Sequence, residues 1–159
     1  MSQRTQKKSL QPFDAQKYRV GIVVAQFNAD ITEALLASAL AMAKKCKVPT
    51  KNITICRVAG SVEIPVMLKA LAEAPPPGGG RYEALVALGA IIRGDTDHYD
   101  YVAKIVTEGV LAVMMDNTTP VGFGVLTCNT PEQAKTRLAS GGGAMLAALH
   151  CARSIAILK

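Results

Sequence analysis

His98, one of the chain's two histidines, sits in the polar run Arg93-Gly94-Asp95-Thr96-Asp97-His98-Tyr99-Asp100. The neighbouring carboxylates of Asp95, Asp97 and Asp100 would support an imidazolium, so His98 reads either as a proton-transfer group or as a solvent-exposed loop histidine. Ahead of a helix, Gly94-Asp95-Thr96 supplies close backbone approach, successive N–H donors and a hydroxyl. Those are the parts of a phosphate or carboxylate cradle, and equally of a tight turn capped by Thr96 or Asp97. A metal site built from Asp95, Asp97 and His98 would lack a second His or a Cys at ligand spacing, so no metal is expected. Glu63 follows the small-residue turn Ala59-Gly60-Ser61 and Val62, where its carboxylate can cap a helix or accept hydrogen bonds from a ligand. Phe27 can stack on a planar ring or close the core. Arg137 is either a solvated helix residue or a bidentate clamp for an anion.

These residues recur at the ends of apolar runs. Residues 19–25 (RVGIVVA) form a nearly continuous β-branched run, the pattern of a strand buried on both faces, and 53–58 (ITICRV), 83–92 (EALVALGAII) and 120–127 (PVGFGVLT) read as three further strands. Helical patterns follow each one. The first is capped by Asn28 or Asp30, carries Ile31, Leu35, Leu36, Leu40 and Ala43, places Lys44 and Lys45 at its dipole-favoured end and stops before Pro49. A second spans about 63–74 and leads into the surface connection PPPGGG (75–80). A third follows the loop 93–100 and carries Val102, Ile105, Val106, Val110 and Val113. Thr130 and Pro131 open a fourth, EQAKTRLA, and a break at Gly141-Gly142-Gly143 precedes a closing helix from about Ala144 that places His150 on its surface or in the core. Four βα units in series predict one α/β domain, a parallel sheet between two helical layers. Ligands of such sheets lie beyond the carboxyl ends of the strands, which is where Phe27, Ser61, Val62, Glu63, the 93–100 loop and Thr130 fall.

The chain has 159 residues, enough for one domain. Residues 1–13 read as a basic, flexible tail and 14–159 as the domain: Arg4, Lys7 and Lys8 precede the first acid, Asp14, so half of the +6 net charge belongs to the tail. No basic stripe interleaved with aromatics remains for a nucleic acid. No run approaches the ~20 apolar residues of a membrane span, and the start MSQRTQKK lacks a signal-peptide core, so no membrane partner is expected. Four cysteines without CxxC spacing fit a reducing, cytoplasmic setting. With half the residues hydrophobic and 19% charged, an apolar surplus is expected to be covered by subunit contacts. GxxxxGK[ST] is absent and no GxGxxG follows the first strand, which argues against P-loop and Rossmann nucleotide sites.

Taken together, RVGIVVAQFNADIT (19–32), VAGSVEIP (58–65), ALGAIIRGDTDHYDYV (87–102) and PVGFGVLTCNTPEQAKTR (120–137) resemble the lumazine synthase family of riboflavin biosynthesis, in family order over about 120 residues. The resemblance implies a three-layer α/β/α domain with a four-stranded parallel, flavodoxin-like sheet. It also implies condensation of 5-amino-6-(D-ribitylamino)uracil with 3,4-dihydroxy-2-butanone 4-phosphate to 6,7-dimethyl-8-ribityllumazine, phosphate and water, without cofactor or metal. By the same resemblance Phe27 would stack on the pyrimidine beside Asn28, and Ser61, Val62 and Glu63 would hold the ribityl chain. Ala90, Ile91 and Ile92 would supply backbone and wall contacts to the pyrimidine. Gly94, Asp95 and Thr96 would cradle the phosphate, His98 would transfer protons, and Phe123 and Arg137 would reach in from a neighbouring subunit. The family assembles as a homopentamer, in some members a decamer or 60-mer, and helical faces such as Val102 to Val113 are expected at those contacts.

Three departures stand out. Ala59 replaces the family's usual Pro, Val62 stands where an aromatic is common, and LASGGGAML after Arg137 lacks the family's lysine. A looser ribityl side and weak affinity for the butanone phosphate are therefore expected. The alternative to a working enzyme is a weakened relative that binds lumazine or flavin ligands, or one that serves mainly as a self-assembling shell.

Overall fold

A computed structural model describes residues 9–159; the basic stretch 1–8 lies outside the described residues. Nine principal elements follow in order: β1 Val20–Ala25, α1 Ala29–Lys45, β2 Ile53–Val58, α2 Ile64–Glu73, β3 Ala84–Ile92, α3 His98–Asn117, β4 Val121–Cys128, α4 Pro131–Lys135 and α5 Ser140–Ile157. All three strand pairings are parallel and the order is β2-β1-β3-β4. The expected three-layer α/β/α domain is therefore present. One core, between the sheet and α1 and α5, contains Val20, Ile22, Val24, Leu35, Val86, Leu88, Met145 and Leu149. The other, under α2 and α3, contains Val23, Ile64, Leu68, Leu85, Ala87, Val106 and Val110. Alternate residues of β1 and β3 serve opposite cores, which is why both strands are apolar throughout.

Three sequence expectations change. The glycine triplet does not break the last helix: α5 begins at Ser140 and runs through all three glycines. A β-carbon at Gly141 would overlap the Leu35 carbonyl of α1, and one at Gly122 of β4 would overlap the Ala144 carbonyl of α5. Gly142 donates its N–H to Ser38 Oγ at 2.9 Å. The glycines thus admit a close approach of α5 to α1 and β4, and the gain in packing outweighs their poor helix propensity. The fourth helix is correspondingly short, ending at Lys135, with residues 136–139 as a turn.

The first helix is not capped by a side chain either. Asn28 occupies the N-cap position with left-handed backbone (φ 59°), and its Nδ2 donates instead to the Ala90 carbonyl at 2.9 Å. Third, α3 starts at His98, so the expected 93–100 loop shrinks to 93–97. On α3, Val106, Val110 and Val113 turn inward to the sheet. The outward apolar set is Tyr101, Ile105, Leu111 and Met115, interleaved with the Lys104–Glu108 ion pair and joined by Val66 of α2.

Peripheral contacts fasten the layers. Arg57 of β2 bonds Glu33 of α1 through Nε at 2.9 Å and Nη2 at 3.0 Å, and this guanidinium holds the Glu33 carboxyl below its ordinary value. His150 of α5 meets the Gln11 carbonyl through Nε2 at 2.7 Å; its ring packs edge-on against Phe13, whose face the Arg153 guanidinium covers while Nη2 of Arg153 lies 3.2 Å from His150 Nδ1. The four cysteines are free, and among the described residues no helix is long and apolar enough to cross a membrane.

The packing of the glycine triplet makes a sign prediction. Gly143 is open, with nothing within 4 Å of an added β-carbon. Gly143→Ala should stabilise the fold by about 0.5–1 kcal/mol through helix propensity, whereas Gly141→Ala should destabilise it by about 1–3 kcal/mol through overpacking. Urea unfolding of both variants checks this; equal shifts would contradict it.

Candidate functional site

At the carboxyl ends of β1, β2 and β3 the sheet opens into a cleft of about 410 Å³, within the range of small-molecule sites. It lies where the strand order reverses between β1 and β3, since the crossover from β1 goes to one side and that from β2 returns to the other. Its walls are Phe27, Gly60 to Glu63, Ala90 to Ile92, Gly94, Thr96, His98, Tyr99 and Val102.

Each wall has a local cause. Phe27 extends the β1–β2 ladder, its N–H donating to the Ala59 carbonyl at 3.0 Å, and then its ring leaves the core at 71% exposure. The left-handed Asn28 turns the chain directly afterwards, and its tether to Ala90 ties the Phe27 turn to the end of β3. A planar apolar shelf held in water is thereby offered to a ring. Ser61 is 7% exposed and fits because Gly89 of β3 lacks a side chain: a β-carbon there would sit 2.8 Å from Ser61 Oγ. Glu63 Oε2 accepts the Gly60 N–H at 3.0 Å, so its carboxylate caps this turn, and the residue also lines the cleft. Val62, 39% exposed, completes this wall.

The opposite wall is the start of α3. Thr96 Oγ1 accepts the His98 N–H at 3.3 Å, so Thr96, not Asp97, provides the side-chain cap. Its own O–H remains available to the cleft. A β-carbon added at Gly94 would have nothing within 4 Å, so the backbone there is open to a ligand's approach. A 20-residue helix begins here, and its unpaired N–H groups and macrodipole favour an anion at this end. Among the described residues no three His, Cys, Asp or Glu converge as a metal-holding group, so Asp95, Asp97 and His98 do not assemble into one.

Four residues singled out from the sequence lie outside this chain's cleft lining: Asn28, Asp95, Phe123 and Arg137. Asn28 is spent on Ala90. Phe123, on the edge strand β4, is 44% exposed. Arg137 lies in the turn after α4, where its Nη1 donates to the Gln133 carbonyl at 2.7 Å and to Thr136 Oγ1 at 3.1 Å. Conversely, Tyr99, Val102 and Gly60 line the cleft without having been singled out as site residues. The signal for the first two was the helix start: with α3 beginning at His98, Tyr99, Val102 and Val106 share one face at helical spacing.

The family model described as 6,7-dimethyl-8-ribityllumazine synthase matches residues 17–156. Among curated proteins, a 6,7-dimethyl-8-ribityllumazine synthase of Thermobifida fusca (strain YX) is 48% identical over 78% of this chain and 68% of its own length. Those of Frankia casuarinae and Salinispora arenicola are 47% and 44% identical, over 75% and 82% of this chain and 69% and 73% of theirs. The matched span runs from before β1 nearly to the end of α5 and so takes in every strand, every helix that shapes the cleft and all of its walls. The chain therefore belongs to the 6,7-dimethyl-8-ribityllumazine synthase family.

Proposed function

We propose that this chain is a working member of its family, a transferase that condenses 5-amino-6-(D-ribitylamino)uracil with 3,4-dihydroxy-2-butanone 4-phosphate in the cleft described above. The observation that carries this reading is the division of that one cleft into a ring-binding side and an anion-binding side. Phe27 and the Ser61 to Glu63 turn suit a ring with a polyol chain; the α3 N-terminus with Gly94, Thr96 and His98 suits a phosphate. The two reacting ends then meet over Ala90 to Ile92, the last residues of the buried β3.

The pyrimidine's own amine is the nucleophile, so the protein needs no activated Ser or Cys. Its work is to hold two substrates in one orientation, bind a dianion and move protons during imine formation, phosphate elimination and ring closure. Thr96, accepting from His98 N–H, has its hydroxyl proton free for a phosphate oxygen. Asp95 does not line the cleft, so the only part assigned to it is its backbone N–H between Gly94 and Thr96. His98, on the cleft wall at the first turn of α3, is the proton carrier.

Phe123 and Arg137 complete a neighbouring subunit's cleft, with Arg137 offering paired donors to the phosphate. The exposed apolar set on α2 and α3 supports assembly, for which we propose a pentamer. The free cysteines support a reducing, cytoplasmic setting.

The purified chain supplied with both substrates should form the lumazine chromophore; absence of turnover would sink the proposal. His98→Ala should slow turnover by about 10²-fold or somewhat less, because general acid–base help is worth roughly 10² to 10⁴ and water or substrate can stand in. An unchanged rate in that variant would remove His98 from the mechanism. With α5 beginning at Ser140, the short turn after Arg137 carries no lysine. The KM for the butanone phosphate should accordingly exceed that of relatives that keep one, and a KM as low as theirs would contradict the inference.

A further inference from the structure

Arg93 follows β3 directly, and its N–H donates to the Cys128 carbonyl at 2.9 Å, carrying the β3–β4 ladder one step past the strand. From that fixed point its side chain reaches three residues. The guanidinium carbon lies 4.3 Å from the centroid of the Tyr99 ring. Nη2 is 3.4 Å from Asp100 Oδ1, and Nε donates to Asn129 Oδ1 at 3.3 Å. Asn129 is itself braced, its N–H donating to Gln133 Oε1 at 2.8 Å. One planar cation therefore touches the first turn of α3 and the turn after β4 while its own backbone is tied to the sheet. Arg93 does not line the cleft, whereas Tyr99 does.

These contacts contribute little to stability, because the Arg93 and Asp100 side chains are 44% and 60% exposed and both polar contacts are long. Their geometry serves position instead. Between Arg93 and Tyr99 lie Gly94 to His98, the segment that carries the anion-binding side and the proton carrier. Two of the three contacts of Arg93 are to the residues that immediately follow His98. Clamping both ends of the segment limits how far it can move relative to the end of β3.

We propose that Arg93 is a positioning residue for the condensation, holding the Tyr99 ring as a cleft wall and setting the first turn of α3, and with it His98 and the Gly94 to Thr96 segment. The proposal rests on the reading of the cleft given above. It requires a plane as well as a charge, since a guanidinium can stack on a ring and direct two donors at once, while an ammonium cannot.

The test compares the full chain with Arg93→Ala and Arg93→Lys. For Arg93→Ala, kcat should fall about tenfold and the KM for the butanone phosphate should rise, since small misplacements of reacting groups are costly. The KM for the pyrimidine should stay within about twofold, because Phe27 and Ser61 to Glu63 are carried by β1 and β2, which the clamp does not touch. Arg93→Lys should fail to restore either parameter, and both variants should melt close to the unsubstituted chain. Hydrogen exchange should quicken at amides 94–101 in Arg93→Ala and remain unchanged elsewhere. Wild-type kinetics in Arg93→Lys would overturn the proposal, since a charge alone would then suffice. A matching rise in both KM values with a lowered Tm would also overturn it, as the mark of a general structural lesion. If the unsubstituted chain forms no lumazine, the reading of the cleft fails; the clamp is then judged by exchange, and unaltered exchange at 94–101 overturns it whatever the activity.

Discussion

The parallel pairing of β3 with both β1 and β4 is the constraint on which the molecule depends. β3 lies between two strands and between two helical layers, so from Ala84 to Gly89 its side chains are apolar or absent and its backbone is enclosed by the sheet. Chemistry is confined to its carboxyl end. Ala90, Ile91 and Ile92 line the cleft there, the Ala90 carbonyl receives Asn28, and the next residues lead into α3. The reversal of strand order beside β3 clears the space above it, because the connections on either side leave in opposite directions. The cleft is thus a consequence of topology, and its chemistry a consequence of which turns the topology gathers.

Glycine sets how closely the layers meet. Gly89 opens a seat for Ser61, while Gly122 and Gly141 let α5 approach β4 and α1. Close packing of this kind favours a rigid floor beneath the site. It also shortens the segment after Arg137, because residues that could have formed a long loop are taken into the helix. The same packing that fixes the floor therefore removes a place from which a second cation could be offered.

Much of this was legible in the sequence. All four strands, the order of helices and the single-domain α/β class follow from β-branched runs alternating with helical spacing. Phe27, Ser61, Val62, Glu63, Gly94, Thr96 and His98 are legible from the turns and Ala90 to Ile92 only through the family resemblance, and all of them line one cleft. α3 starts earlier than its sequence suggests: His98, Tyr99 and Asp100 look like loop residues by polarity, yet Thr96 caps the His98 N–H and lets the helix begin there. The inward face of α3 was likewise hidden, since Val102 to Val113 is apolar on more than one side and only contact with the sheet distinguishes Val106 and Val110 from Ile105 and Leu111.

By itself the sequence determined what local chemistry can determine: which runs are strands, where Pro131 and Thr130 open a helix, and which turns carry polar, aromatic or ionisable groups at the strand ends. Tertiary structure alone decided the meaning of residues whose role depends on a distant partner. Gly142 is a helix residue because Ser38, 104 positions away, receives its N–H. Asn28 is a strap and not a cap because the end of β3 lies within reach of its amide. Arg93 is bound to Tyr99, Asp100 and Asn129 because two turns from different strands converge beside it. The physical reason is range: propensity and capping act within a few residues along the chain, whereas close backbone approach and shared hydrogen bonds exist only after the sheet has brought remote segments together.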